Sequence, residues 1–204
     1  MSQTDHGSTG HGSTGPGSTD HTQTNNNRLA VLEENDGRCV LRFVRLLHHP
    51  RETVWRAVTE PEGLRTWFPQ RVEYLSWDGV PRTGAPVRFS MPNDPMQAFD
   101  GEVLTFEPPA VFELRWGTDV LRLELEDVSD EDGDSTLLTL LDTFDEPGKA
   151  ARDGAGWHAC LDALLRRLDD GDSLDVGSRW AQVHPVYVQA LGPEASTIGP
   201  GTPG

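Results

Sequence analysis

The chain has 204 residues, the size of one domain with tails, and carries 33 acidic against 17 basic side chains, a formal net charge of −16. A surface this negative repels phosphate backbones and anionic lipid headgroups, which excludes nucleic-acid binding and basic-patch membrane association as main roles. No apolar run approaches the roughly 20 residues of a spanning helix, and the start of the chain has no basic-then-apolar leader pattern. The expectation is a cytoplasmic protein whose two cysteines, Cys39 and Cys160, are reduced core residues.

Between Ser2 and Asn27 there is no aliphatic, aromatic or cysteine residue, and HGSTG occurs twice in succession. Such a Gly/Ser-rich segment cannot bury enough surface to offset its ordering entropy, so residues 1–27 are expected to be a disordered low-complexity tail. Residues 192–204, rich in Gly and Pro, are expected to be a flexible C-terminal tail, leaving 28–191 as one domain.

Within that domain the periods change in a readable order. Residues 39–47 (CVLRFVRLL) are rich in β-formers and predict a first strand. Pro50 opens a short helix carried by Val54, Trp55 and Val58 and closed at Glu60-Pro61. A second helical piece follows over 61–66. Period-two alternation then predicts six more strands, around Val72/Tyr74, Val87/Phe89/Met91, Phe99/Val103, Phe112/Trp116, Leu121/Leu125 and Leu138/Leu140. Helical spacing returns at Trp157, Leu161, Leu164, Leu165 and Leu168. Consecutive, short-linked strands pair antiparallel, and their shared apolar face needs a cover. The prediction is an α+β fold, with a curved antiparallel sheet of about seven strands gripping one long C-terminal helix.

No nucleotide, metal or nucleophile signature is present: no Walker sequence, GxGxxG after a strand, CxxC, HExxH or GxSxG. His48-His49 alternate across a strand end and cannot chelate one ion as a pair. The acidic run from Asp127 to Asp134 lacks the terminal Glu of a calcium loop. No cofactor and no metal are expected. Six tryptophans are either core filler or the walls of a pocket between sheet and helix. The candidate lining from the sheet side is Trp67, Phe89, Met91, Phe99, Trp116, Leu140 and Asp142. From the helix it is Trp157, His158 and Leu161.

Asp142 shares strand parity with Leu138, Leu140 and Phe144, so it points to the apolar side, where a carboxylate needs a partner. It lies roughly 10 Å from the strand end. His158 lies roughly 13 Å into the long helix, and Arg152 is a shallower rival. The matching depths predict an Asp142–His158 pair.

The stretch Pro50–Pro61 followed by Trp67-Phe68 resembles the opening of the activator of heat-shock protein 90 ATPase homologue family, within the START-like (SRPBCC) superfamily. Gly156–Leu164 is similar to its last-helix motif, and His184-Pro185-Val186-Tyr187 to a common ending. The resemblance covers about residues 38–190 and implies a helix-grip fold without implying one function. Two departures stand out. Residues 1–27 cannot supply the additional chaperone-binding domain of the eukaryotic co-chaperones, and Asp142 stands where the family's last strand often has His.

The leading expectation is therefore a small binding module that holds a hydrophobic or amphipathic molecule between sheet and last helix. One alternative is a cyclase- or hydrolase-type enzyme using Asp142 and His158 as acid and base. The other is a protein-interaction module contacting a chaperone.

Overall fold

The computed structural model describes residues 28–129 and 133–199; the expected N-terminal tail and residues 200–204 lie outside the described residues. Eight strands form one antiparallel sheet: β1 (Val31–Asn35), β2 (Arg38–Leu47), β3 (Arg71–Tyr74), β4 (Pro86–Met91), β5 (Asp94–Glu107), β6 (Val111–Trp116), β7 (Asp119–Asp127) and β8 (Thr136–Phe144). Their spatial order is β1-β2-β8-β7-β6-β5-β4-β3, so the first long strand and the last one lie side by side. Register shifts at Ser90/Met91 and between Val103 and Thr105 fall on either side of β5. Bulges of this kind bend a strand and curl the sheet.

Alternation sets the inner face. Leu138, Leu140, Asp142 and Phe144 of β8 are buried beside Leu121, Leu123 and Leu125 of β7. On β2 the same parity buries Leu41, Phe43, Arg45 and Leu47. Two short helices, α1 (Arg51–Thr59) and α2 (Pro61–Leu64), follow β2 and close one end of the sheet. A single 3₁₀ turn, Pro147–Lys149, leads into α3 (Ala150–Leu168), which lies across the inner face. The α+β helix-grip architecture is the one read from the strand pattern.

Three features go beyond that reading. The edge strand β1 pairs with β2 through Asp36-Gly37, both at positive φ (51° and 78°), the conformation of a two-residue type I′ hairpin. A further helix, α4 (Val176–Leu191), begins at Asp175, whose carboxylate accepts the N–H groups of Gly177 and Ser178. Thus α3 is not the last long helix; α4 packs on its outer flank. A Cβ on Gly154 of α3 would lie only 2.7 Å from the Tyr187 ring of α4, so the glycine permits this close approach. Finally, the tail expected to begin at residue 192 is packed at its start. Glu194–Ser196 form a 3₁₀ turn, Ala195 is buried, and the Ile198 N–H donates to the Gly148 carbonyl at 2.9 Å.

Candidate functional site

Between α3 and the far half of the sheet the interior is aromatic. The Trp157 ring lies 5.4 Å from Trp116 and 5.5 Å from Phe68, centroid to centroid. Phe68 continues to Phe89 at 6.1 Å, Phe89 to Phe99 at 5.2 Å, and Phe99 closes the ring of contacts on Trp116 at 6.1 Å. These separations are those of stacked and edge-to-face pairs. Phe89 and Trp157 are sealed, whereas Phe99 and Trp116 are only half-buried, so the cluster reaches the surface on one side. Gln70 marks that rim: its carbonyl accepts the Trp116 indole N–H at 3.1 Å, and its amide lies 3.8 Å from the Met91 sulfur.

Of the candidate lining, Met91 is the most exposed, at 39%, and stands at the rim rather than inside. Trp67 packs edge-on against Phe68 and donates its indole N–H to the Ala57 carbonyl, one layer behind the cluster. Leu140 and Leu161 are buried in the common core. Phe68, which contacts Phe89, Trp116 and Trp157, was missing from the candidates although it adjoins Trp67 in the motif.

Asp142 is fully buried, as its parity requires, but its partner is Trp157, whose indole N–H donates to Oδ2 at 3.1 Å; Oδ1 has no partner among the described residues. Asp119 and Asp153 bring carboxylate oxygens within 4.8 Å of it. Lys149 Nζ lies 2.5 Å from Asp119 and 3.7 Å from Asp153, and Arg152 holds Asp153 from the other side at 2.7 Å. Burial, and then the two neighbouring carboxylates, push the Asp142 carboxyl up to about 8 against the pull of Lys149 and Trp157. At neutral pH it is a carboxylic acid. A metal ion at this trio would have to displace the Lys149 ammonium, which already supplies the positive charge.

The predicted Asp142–His158 pair does not form. Adjacent helical residues point about 100° apart, and it is Trp157 that faces Asp142. His158 turns toward α4. Its Nδ1 lies 3.2 Å from the Tyr187 hydroxyl and its Nε2 3.4 Å from Arg179 Nη2. A neutral imidazole satisfies both contacts in one tautomer, donating from Nδ1 and accepting at Nε2. The Tyr187 hydroxyl also accepts the Ala30 N–H at 2.9 Å, tying the segment before β1 to α4. Burial lowers the imidazole to about 4, with Arg45 and Arg179 adding to the shift and Asp162 opposing it. Burial likewise raises the Cys160 thiol to about 12, which removes it as a nucleophile. No helix among the described residues is long and apolar enough to cross a membrane.

A curled antiparallel sheet wrapped around α3 with an aromatic interior defines a START-like domain. Residues 48–169, more than half of the chain, match the family described as activator of Hsp90 ATPase homolog 1-like protein, and the chain belongs to that family. A comparison with curated proteins found no match. Among solved structures the chain is similar to EF2215, a conserved protein of unknown function from Enterococcus faecalis. That likeness has 17% identity and a TM-score of 0.62, covering 84% of this chain and 96% of that one. CalU16 from Micromonospora echinospora shares 20% identity at a TM-score of 0.59, with 81% and 97% covered. DynU16, a protein of the dynemicin biosynthetic locus, shares 26% identity at a TM-score of 0.52, with 66% and 48% covered.

Proposed function

We propose that the protein is a small-molecule binding module that takes an apolar or aromatic compound at the open side of the Phe68–Phe89–Phe99–Trp116–Trp157 cluster. The observation that carries this reading is a continuous set of aromatic faces that is sealed at Trp157 and half-exposed at Phe99 and Trp116. Flat apolar surface beside one amide, Gln70, suits a ligand that is mostly hydrophobic with a single polar handle. DynU16 belongs to a biosynthetic locus, which is in keeping with a small-molecule role for this chain. The acid–base pair on which an enzyme reading stood is absent, since Asp142 and His158 have separate partners. That favours holding over catalysis.

Titration of the native protein with the neutral dye Nile red, read by dye emission and tryptophan quenching, tests the proposal. Saturable one-site binding is expected. Trp116→Ala or Phe99→Ala should weaken it about tenfold, the equivalent of about 1.4 kcal/mol of lost apolar contact. Absence of saturation, or unchanged affinity in both variants, contradicts it.

A further inference from the structure

Gln70 stands between Pro69 and the first residue of β3. Arg71 beside it pairs with Ser90, so Met91 of β4 falls opposite the Gln70 side chain. The indole nitrogen of Trp116, 3.1 Å from Gln70, is a donor with no acceptor capacity, so the atom facing it is the amide oxygen. Turned over, the amide would set its NH₂ against the indole N–H, donor to donor. The oxygen is therefore held toward the half-buried Trp116, and the NH₂ faces the exposed rim.

There the one protein acceptor of the NH₂ among the described residues is the Met91 sulfur, at 3.8 Å. A thioether is a weak acceptor, and the group has two N–H donors to place. Met91 is 39% exposed on an unbranched, flexible side chain, so it can swing aside without opening the core. The same Trp116 that fixes the amide packs on Phe99 at 6.1 Å and on Trp157 at 5.4 Å. An aromatic ring seated on the half-exposed faces of Phe99 and Trp116 thus has its edge beside the Gln70 NH₂.

We infer that Gln70 sets the polarity of the ligand: the bound compound is a neutral aromatic with an oxygen acceptor, such as a ring carbonyl, at its edge. This inference rests on the proposed binding at the aromatic cluster and names the polar handle that such a ligand carries. Its oxygen takes the place of the Met91 sulfur on the Gln70 NH₂. A ligand that can only donate finds no equivalent, because Trp116 already claims the amide oxygen. The net charge of −16 disfavours an anionic oxygen in the same place.

The test uses three planar tricyclic probes of nearly equal size: 9-fluorenone, which only accepts, carbazole, which only donates, and fluorene, which does neither. Each competes with Nile red on the full chain. Gln70→Glu keeps an oxygen for the Trp116 N–H and loses the NH₂; Gln70→Met loses both. Because the probes leave water unequally, the readout is the change in each probe's affinity between proteins. Both variants should weaken fluorenone about fivefold or more and leave fluorene within about twofold. Carbazole should bind Gln70→Glu more tightly than the original. In the unaltered protein, one Gln70 side-chain N–H proton resonance should shift downfield with fluorenone and not with fluorene, a readout that needs no variant. The inference is overturned, with the cluster reading intact, if the probes compete and fluorenone is indifferent to both variants, or if fluorene falls as far as fluorenone. It is overturned too if Nile red saturates and no probe competes. If Nile red itself fails to saturate, the cluster reading falls and this inference falls with it.

Discussion

Trp157 and His158 are consecutive residues of α3, yet they belong to two differently built regions. On the sheet side, Trp157 donates to a buried carboxyl group set among Asp119, Asp153 and Lys149. On the α4 side, His158 meets Tyr187, Arg179 and the buried Arg45. Loss of water is the leading cause of both pKa shifts, and it always favours the neutral form. The acid therefore keeps its proton and the base stays without one. The helix thus separates an acidic, aromatic compartment from a basic, phenol-bearing one, each of which holds its central titratable group uncharged.

The sharpest way to break the acidic compartment is to remove its cation. Lys149→Met leaves Asp119 and Asp142 buried beside each other without the ammonium, and should cost about 3–5 kcal/mol in urea unfolding at pH 7. A loss below 1 kcal/mol would mean that Lys149 is not the group holding these carboxylates together.

Next in size is Asp142→Asn, which keeps an oxygen for the Trp157 N–H and removes the titration. Unfolded, Asp142 ionises near 3.8; folded, it holds its proton to about 8. Between those values the native state binds more protons, so this group makes stability decline as pH rises. Asp142→Asn should match the unaltered protein near pH 4 and exceed it by about 2–4 kcal/mol at pH 8. Equal pH slopes would show that Asp142 ionises normally.

On the other side, Tyr187→Phe removes the acceptor for the Ala30 N–H and the partner of His158 Nδ1. It should cost about 1–3 kcal/mol, with faster hydrogen exchange at Ala30. The smallest effect belongs to His158→Gln. The imidazole takes a proton near 6.5 unfolded and near 4 folded, so its contribution to stability is lost as pH falls through that window. The glutamine variant should lose about 1–2 kcal/mol less than the original between pH 7 and pH 4.

The contrast between the two sides also explains what could be read in advance. Alternation along β8 places Asp142 on the apolar side, and helical spacing puts Trp157 and Leu161 on the buried stripe; both follow from local periods. Matching depth and a place at the border of the apolar stripe do not decide which of the adjacent Trp157 and His158 turns toward β8. One residue of rotation gave the carboxyl to Trp157. Helix α4 was not among the expected elements, and it carries Pro185, a residue that removes an interior helix hydrogen bond. In the fold it sits on the exposed side of the helix, where the unpaired carbonyl it leaves is cheap. Its apolar spacing at Trp180, Val183, Tyr187 and Leu191 was available, as was the Asp36-Gly37 hairpin signal before β2. Arg45 had the inward parity of Leu41, Phe43 and Leu47 in plain view. Against that parity stands the usual rule that arginine stays outside, which the fold overrides here. Contacts between elements distant in sequence, such as Tyr187 with Ala30, had no local signal at all.

The division of the interior by α3 can be measured in one sample. Protein labelled with ¹³C at Asp Cγ and His Cε1, titrated by NMR across the pH range in which it stays folded, reports both compartments at once. The Asp142 resonance is expected to move with a midpoint near 8, while His158 stays neutral until near 4. An Asp142 midpoint near 4 together with a His158 midpoint near 6.5 would contradict it, because both groups would then be titrating as they do in water.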